Sequence, residues 1–209
     1  MNEKPKKNSA LLITAAGSFL TPFMGSSVNV ALPSIGREFS LDALLLSWVS
    51  TGYLLAAAVF LVPFGRIADI YGRKRVFSAG ILAFTLCSLA LGFSGSAPAV
   101  LALRALQGIG GAMTFGTGVA ILTSIFPAGE RGKALGINVT AVYMGLSLGP
   151  FLGGFLTEHW GWRSIFLVLV PLGLLVLGLI RWRLEGEWAE ARGERFDFLG
   201  SFLYGLSLV

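Results

Sequence analysis

Six long apolar stretches, with a single charge among them and separated by short charged segments, divide the chain between residues 10 and 180. Crossing the hydrocarbon core of a bilayer takes about 20 consecutive apolar residues in a helix, since a helix satisfies its backbone polar groups internally. Residues 10–32 supply 23 such residues, 43–64 supply 22 and 76–93 supply 18. After a short turn over residues 94–98, the fourth stretch runs over residues 99–126 with a single charge, Arg104, inside it. Residues 134–157 supply 24 and residues 164–180 supply 17. Nothing alternates apolar and polar for long enough to suggest a membrane β-barrel. The first stretch follows Lys4, Lys6 and Lys7, as a signal peptide would, but it exceeds the 7–15 residues of such an apolar region and five more stretches follow.

Composition agrees. Charged residues are 13% and hydrophobic residues 55%, with a mean hydropathy of +0.76. A soluble domain carries about 25% charged residues. The same figures exclude a disordered chain. One cysteine, Cys87, excludes an intrachain disulfide, and one histidine argues against a Cys/His metal site. No nucleophile–base pair is visible, so the sequence points away from a membrane enzyme.

Lys and Arg set the expected orientation, because cytoplasmic loops carry their excess. With the N-terminus inside, 13 fall on the cytoplasmic side and only Arg37 and Arg163 outside. The N-terminus is therefore expected in the cytoplasm of a multi-pass cell-membrane protein. Spread over loops on one side of a bilayer, these charges make no nucleic-acid patch. Residues 1–9 are expected to be a cytoplasmic tail, 10–180 a six-helix bundle and 181–198 a cytoplasmic polar linker. The apolar residues 199–209 are too few to span and are expected to begin a truncated seventh helix, as in a fragment or split gene.

An internal repeat is visible. Gly65, Asp69, Gly72, Lys74, Val76 and Phe77 match Gly154, Glu158, Gly161, Arg163, Ile165 and Phe166, offset by 89 residues. The two segments join the second to the third stretch and the fifth to the sixth, which places them on opposite sides of the membrane. That is the signature of an inverted 3+3 repeat.

Four motifs stand out. The first is Gly65, Asp69, Gly72, Arg73 and Lys74 in a short loop. Gly65 and Gly72 are expected to permit tight turns. Asp69 can pair with Arg73 or approach the positive N-terminus of another helix, which makes a latch. The second is Arg104, Gln107 and Gly108 in the fourth stretch. A charge inside a membrane is costly and by default functional, so Arg104 is expected to face a central cavity and to bond backbone carbonyls or side chains such as Gln107 and Asn29. An Arg104 that snorkels to the outer interface is the bland alternative. The third is Gly145, Gly149, Pro150, Gly153 and Gly154 in the fifth stretch. The glycines four apart line one face and admit a close neighbour, here expected to be a missing C-terminal half. The fourth is residues 28–35, with Ser26, Asn29 and Tyr53 as candidate cavity residues. His159, Trp48, Trp160, Trp162 and Trp182 fit a membrane-interface belt.

These motifs resemble the major facilitator superfamily. The loop resembles its G-x-x-x-D-x-x-G-[RK]-[RK] signature, the fourth stretch its R-x-x-Q-G motif, associated there with proton coupling, and the fifth its antiporter signature G-x-x-x-G-P-x-x-G-G. The first stretch resembles L-D-x-T-I-V-N-V-A-L-P of the fourteen-span drug:proton antiporters, with Met24 at the acidic position. The resemblance implies the N-terminal half of a transporter that exports small molecules by alternating access, driven by a proton gradient and without a cofactor. It also implies a small-molecule substrate and the bilayer as partners. Two alternatives stay open: a proton-linked uptake carrier, and a half that is inactive alone. No Asp or Glu lies in any of the six apolar stretches, so a coupling acid has to come from the missing half or coupling differs.

Overall fold

A computed structural model describes residues 3–208, with side chains from Lys7 onward. The chain forms α1 (Glu3–Phe39), α2 (Ala43–Tyr71), α3 (Arg73–Gly92), α4 (Ala97–Ile125), α5 (Ala128–Trp160), α6 (Arg163–Leu167), α7 (Leu169–Arg183) and α8 (Phe198–Ser207). Six helical stretches are long and apolar enough to cross a membrane, α6 and α7 counting as one over Arg163–Arg183. Pro171 explains the seam between α6 and α7: it has no N–H to offer Leu167, so the hydrogen-bond ladder is interrupted while Val168 keeps helical dihedrals of φ −65° and ψ −25°.

The helices outrun their apolar stretches. α1 is already helical at Glu3, α2 runs on to Tyr71 and α5 starts at Ala128, before Glu130, Arg131 and Lys133. Polar residues mark the starts. The Asp42 carboxylate accepts the Leu45 amide at 2.7 Å to cap α2, and Asp197 caps α8 through Gly200 at 2.8 Å.

The connection between α2 and α3 corrects one expectation. Gly65 makes no turn; it lies within α2, and a Cβ there would meet nothing within 4 Å. The whole turn is Gly72, at φ +118°, a backbone that residues with a Cβ rarely adopt. Its repeat partner Gly161 does the same between α5 and α6 at φ +80°. Beyond these glycines, Val76 and Phe77 in one repeat and Ile165 and Phe166 in the other are buried.

Helix pairing follows the same symmetry. α1 packs chiefly along α5, and α2 along α4. Exchanging the two repeats turns the first pair into the second. The six spanning stretches thus pair as an inverted 3+3 repeat requires. Phe77, Phe84, Phe166, Met24, Ile13 and Ile121 fill its core. Coverage is uneven: half or more of the apolar window is buried in α1, α3 and α4, but only 11% in α2 and 17% in α5. The unfilled apolar surface therefore lies chiefly on α2 and α5, with a share on the sixth span, whose window is 33% buried.

Candidate cavity and gating turn

A cavity of about 440 Å³ opens between α1, α2 and α4, with Leu146 of α5 at its edge. Ser26, Asn29, Tyr53 and Arg104, all expected from the sequence, line it together with Thr21 and Ser50. Most of the wall is apolar, with Leu54, Leu61 and Phe115 prominent. Such a wall with a few polar groups suits a small amphipathic molecule.

Arg104 is 1% exposed and does not snorkel. Its Nε donates to the Val49 carbonyl at 3.0 Å and its Nη1 to Gln107 Oε1 at 2.5 Å. The guanidinium lies over the Tyr53 ring, 4.3 Å from the centroid, where the ring face attracts a cation. Gln107 in turn donates to Ser88 Oγ at 2.8 Å, and Ser88 donates to the Phe84 carbonyl at 2.8 Å. A buried charge with no carboxylate partner among the described residues is thus carried by a relay from α2 through α4 to α3. Asn29 is not part of it, contrary to expectation; it accepts the Ser50 hydroxyl at 2.8 Å instead. A backbone carbonyl was among the expected partners, but nothing in the sequence singles out Val49 as its owner, and Ser88 was not foreseen, because a lone serine leaves no motif.

Gly108 contributes space rather than chemistry. A Cβ there would lie 2.3 Å from the Tyr53 carbonyl oxygen, and one at Gly110 would lie 2.8 Å from the Phe84 amide nitrogen. Glycines two residues apart thus let α2 and α3 close on α4 from two sides, which sets Arg104 against Tyr53 and Gln107 against Ser88.

The glycine face of α5 is the clearest correction. It was expected to await a missing half, yet it packs tightly inside this bundle, on α1. Added Cβ atoms would come within 2.7 Å of the Phe19 carbonyl at Gly145, 1.9 Å of Ser26 Oγ at Gly149 and 2.8 Å of Ser27 Cα at Gly153. Ser26 and Ser27 donate across the contact to the carbonyls of Gly145 at 3.3 Å and Gly149 at 3.0 Å. Four-residue glycine spacing specifies that a close neighbour exists; it does not say which helix. Gly154 stands off this contact, with Val30 at 3.6 Å, and Pro150 points to the exposed side of a helix that continues through it.

Met24, at the position where the antiporter motif carries an acid, is fully buried in the core rather than lining the cavity.

At the α2–α3 turn, the Arg73 guanidinium pairs with Asp69 on the preceding turn at 2.7 Å. It also meets Glu190 at 2.7 Å, the Ala120 carbonyl at 3.3 Å and the Ser124 hydroxyl. Lys74 reaches the Leu184 carbonyl. Hydrogen bonding and charge from Arg73 hold the Glu190 carboxyl below its usual range. A depressed folded-state pKa adds stability above the ordinary carboxylate value and loses it as pH falls through the depressed one.

At the α5–α6 end, Glu38 accepts from Trp162 Nε1 at 2.7 Å and from Arg163 at 2.8 and 2.6 Å, and Arg163 also donates to the Ser94 carbonyl at 2.7 Å. Trp162 is accordingly buried at 3% exposure, whereas Trp160 and Trp182 are exposed.

Comparison with known proteins agrees with this architecture. The family model described as Major Facilitator Superfamily matches residues 14–197. The chain is 40% identical over 195 residues to the multidrug resistance protein Stp of Mycobacterium tuberculosis, covering 93% of this chain and 36% of that protein. It is 32% identical to the riboflavin transporter RibZ of Clostridioides difficile (93% and 42% covered) and 39% identical to the cephamycin export protein CmcT of Amycolatopsis lactamdurans (96% and 42%). Among solved structures, a D-xylose–proton symporter superposes with a TM-score of 0.76 at 18% identity over 86% of this chain and 48% of that one. A bacterial homologue of the human lysosomal transporter Spinster superposes with 0.77 at 21% identity over 94% and 47%. The chain spans well under half the length of these three relatives and about half of the structural neighbours. With its inverted repeat, its loop signature and a family match over most of its length, this chain belongs to the major facilitator superfamily.

Proposed function

We propose that the chain is the N-terminal half of a proton-coupled exporter of small molecules, working by alternating access with a second half like the one its relatives' extra length provides. The observation that carries this is the joint presence of a central cavity bearing one buried cation and, at one end of the bundle, a turn pinned by breakable ion pairs. The first can hold a substrate; the second can switch with the side on which the cavity opens. Stp and CmcT, by name a drug-resistance and an export protein, favour export. The uneven distribution of Lys and Arg favours an N-terminus in the cytoplasm, which puts the α2–α3 turn on the cytoplasmic side.

Arg104 stays charged at physiological pH and cannot itself carry the proton. Its role is to attract an anionic substrate group, or to tune an acid in the second half. Asp69 and Arg73 act in gating. Asp69→Asn in the complete transporter is expected to slow turnover by roughly tenfold, the size of a typical conformational coupling, with substrate affinity near normal. A large affinity loss with normal conformational exchange would contradict the gating role. The function itself is tested with the complete transporter in liposomes under an imposed pH gradient, assayed with dye substrates in both directions. Accumulation against the export direction only would favour the uptake alternative, and no gradient-dependent flux would refute proton coupling.

A further inference from the structure

The segment between α7 and α8 is bound back onto the α2–α3 turn. The Arg73 amide donates to the Trp188 carbonyl at 2.8 Å, the Lys74 amide to Glu187 Oε1 at 2.8 Å, and the Ala191 amide to the Asp69 carbonyl at 3.0 Å. Glu187 also lies 3.6 Å from Arg75, Glu194 pairs with Arg66, and Glu190 pairs with Arg73. Three acids of this short segment thus each face a cation in or beside the signature.

Two features of this contact go beyond charge matching. The first amides of a helix have no acceptor within it and need a cap. α3 is preceded by Gly72, which has no side chain to cap with, and the acceptors for Arg73 and Lys74 come instead from Trp188 and Glu187. A Cβ at Gly72 would lie 2.4 Å from the Glu187 carboxyl carbon. The signature glycine therefore both makes the turn and leaves room for a carboxylate at the positive end of α3. The second feature is that Arg73, at 8% side-chain exposure, holds two carboxylates at once, with Asp69 at 33% and Glu190 at 67%. If Asp69 leaves to engage another helix, Arg73 keeps a counter-charge.

We propose that residues 184–195 are a strap that positions the gating turn: Glu187 caps α3 in place of the side chain Gly72 lacks, and Glu190 keeps Arg73 paired when Asp69 disengages. The gating role rests on the alternating-access function proposed above; the capping role does not. Handing Arg73 from two carboxylates to one avoids stranding a nearly buried cation, so the latch opens at lower cost.

Amide exchange on the 209-residue chain in lipid nanodiscs tests the cap. Glu187→Ala is expected to speed exchange at Lys74 about five- to tenfold, the usual effect of losing a cap, while amides in the middle of α2 are unchanged. Glu187→Gln keeps an acceptor and is expected to restore most of the protection. Equal exchange at Lys74 in wild type and Glu187→Ala would overturn the cap. The handover is read from thermal unfolding of the same chain carrying Asp69→Asn, Glu190→Gln or both. A combined loss larger than the two single losses together supports it, because only the pair leaves Arg73 without a carboxylate; strict additivity overturns it. In the complete transporter, Glu190→Gln is expected to alter turnover and leave substrate affinity unchanged, and the reverse would contradict the positioning role. A complete transporter that moves nothing would refute the function proposed above, yet exchange and unfolding would still decide the strap.

Discussion

Replacing Gly149 by valine is expected to unfold the α1–α5 contact and sharply lower the yield of folded protein. An added Cβ at this position would lie 1.9 Å from Ser26 Oγ and 2.9 Å from the Phe23 carbonyl oxygen. The hydroxyl could rotate away, but the carbonyl belongs to α1's backbone and moves only with the helix. Overpacking of this kind costs about 1–3 kcal/mol, and more where the backbone is the obstacle. The substitution also pushes apart the hydrogen bonds that Ser26 and Ser27 make to α5. Removing the hydroxyl as well, with Ser26→Ala, is expected to recover part of the loss and not all of it, because the Phe23 carbonyl remains. Gly154→Ala is the control: it belongs to the same motif but meets only Val30 at 3.6 Å, so near-wild-type stability is expected. Thermal unfolding in detergent reads all of these. Equal tolerance at 149 and 154 would mean that α1 and α5 are not packed as described.

The second large effect is expected at Arg104. Arg104→Ala leaves Gln107 Oε1 and the Val49 carbonyl without their donor inside a span. Charge-assisted hydrogen bonds of this kind contribute about 1.5–3 kcal/mol each to stability; a role in coupling the cavity to the conformational change is expected to show separately, as turnover of the complete transporter lower by roughly 10- to 100-fold. Arg104→Lys keeps the charge but not the fork that serves both acceptors, and is expected to recover little. Packing and chemistry are separated by Gln107→Glu compared with Ser88→Ala. The first keeps the oxygen that accepts from Arg104 and cancels the charge offered to the cavity, but loses the donor to Ser88; the second loses that same bond alone. Stability of the two alike, with turnover strongly reduced only in Gln107→Glu, would place Arg104's role in the cavity. If Arg104→Lys and Arg104→Ala both transport normally, the fourth helix has no such role.

The architecture was legible because two strong signals act over long segments. Charge-free length fixes the spans, and the matched turns at Gly72 and Gly161 fix the inverted repeat. Arg104 was legible because a charge within an apolar span is rare and must find partners; its pairing with Gln107 followed from helical spacing. The glycines of α5 announced a close contact but not its partner, since a smooth face fits any neighbouring helix. The strap was hidden for a different reason. Glu187, Glu190 and Glu194 lie in a segment of mixed charge that reads as a solvated linker, and only the fold brings it onto Arg66, Arg73 and Lys74 more than a hundred residues away. Complementary charge between that segment and the basic turn was the available clue. Gly65 misled in the opposite sense: the glycine fits the signature, but α2 simply continues through it.

The most direct test of alternating access labels the cavity from each side of the membrane. In the complete transporter, with Cys87→Ser as background, Ser50→Cys puts a thiol on the cavity wall beside Asn29. Leu86→Cys puts one on an exposed apolar face of α3 as a control. A membrane-impermeant maleimide is added to vesicles of each orientation, with and without a pH gradient. The expected result is labelling at position 50 from both sides, in a ratio that the gradient shifts, and none at position 86. Labelling at position 50 from one side only under every condition would contradict a cavity that opens alternately to the two faces of the membrane.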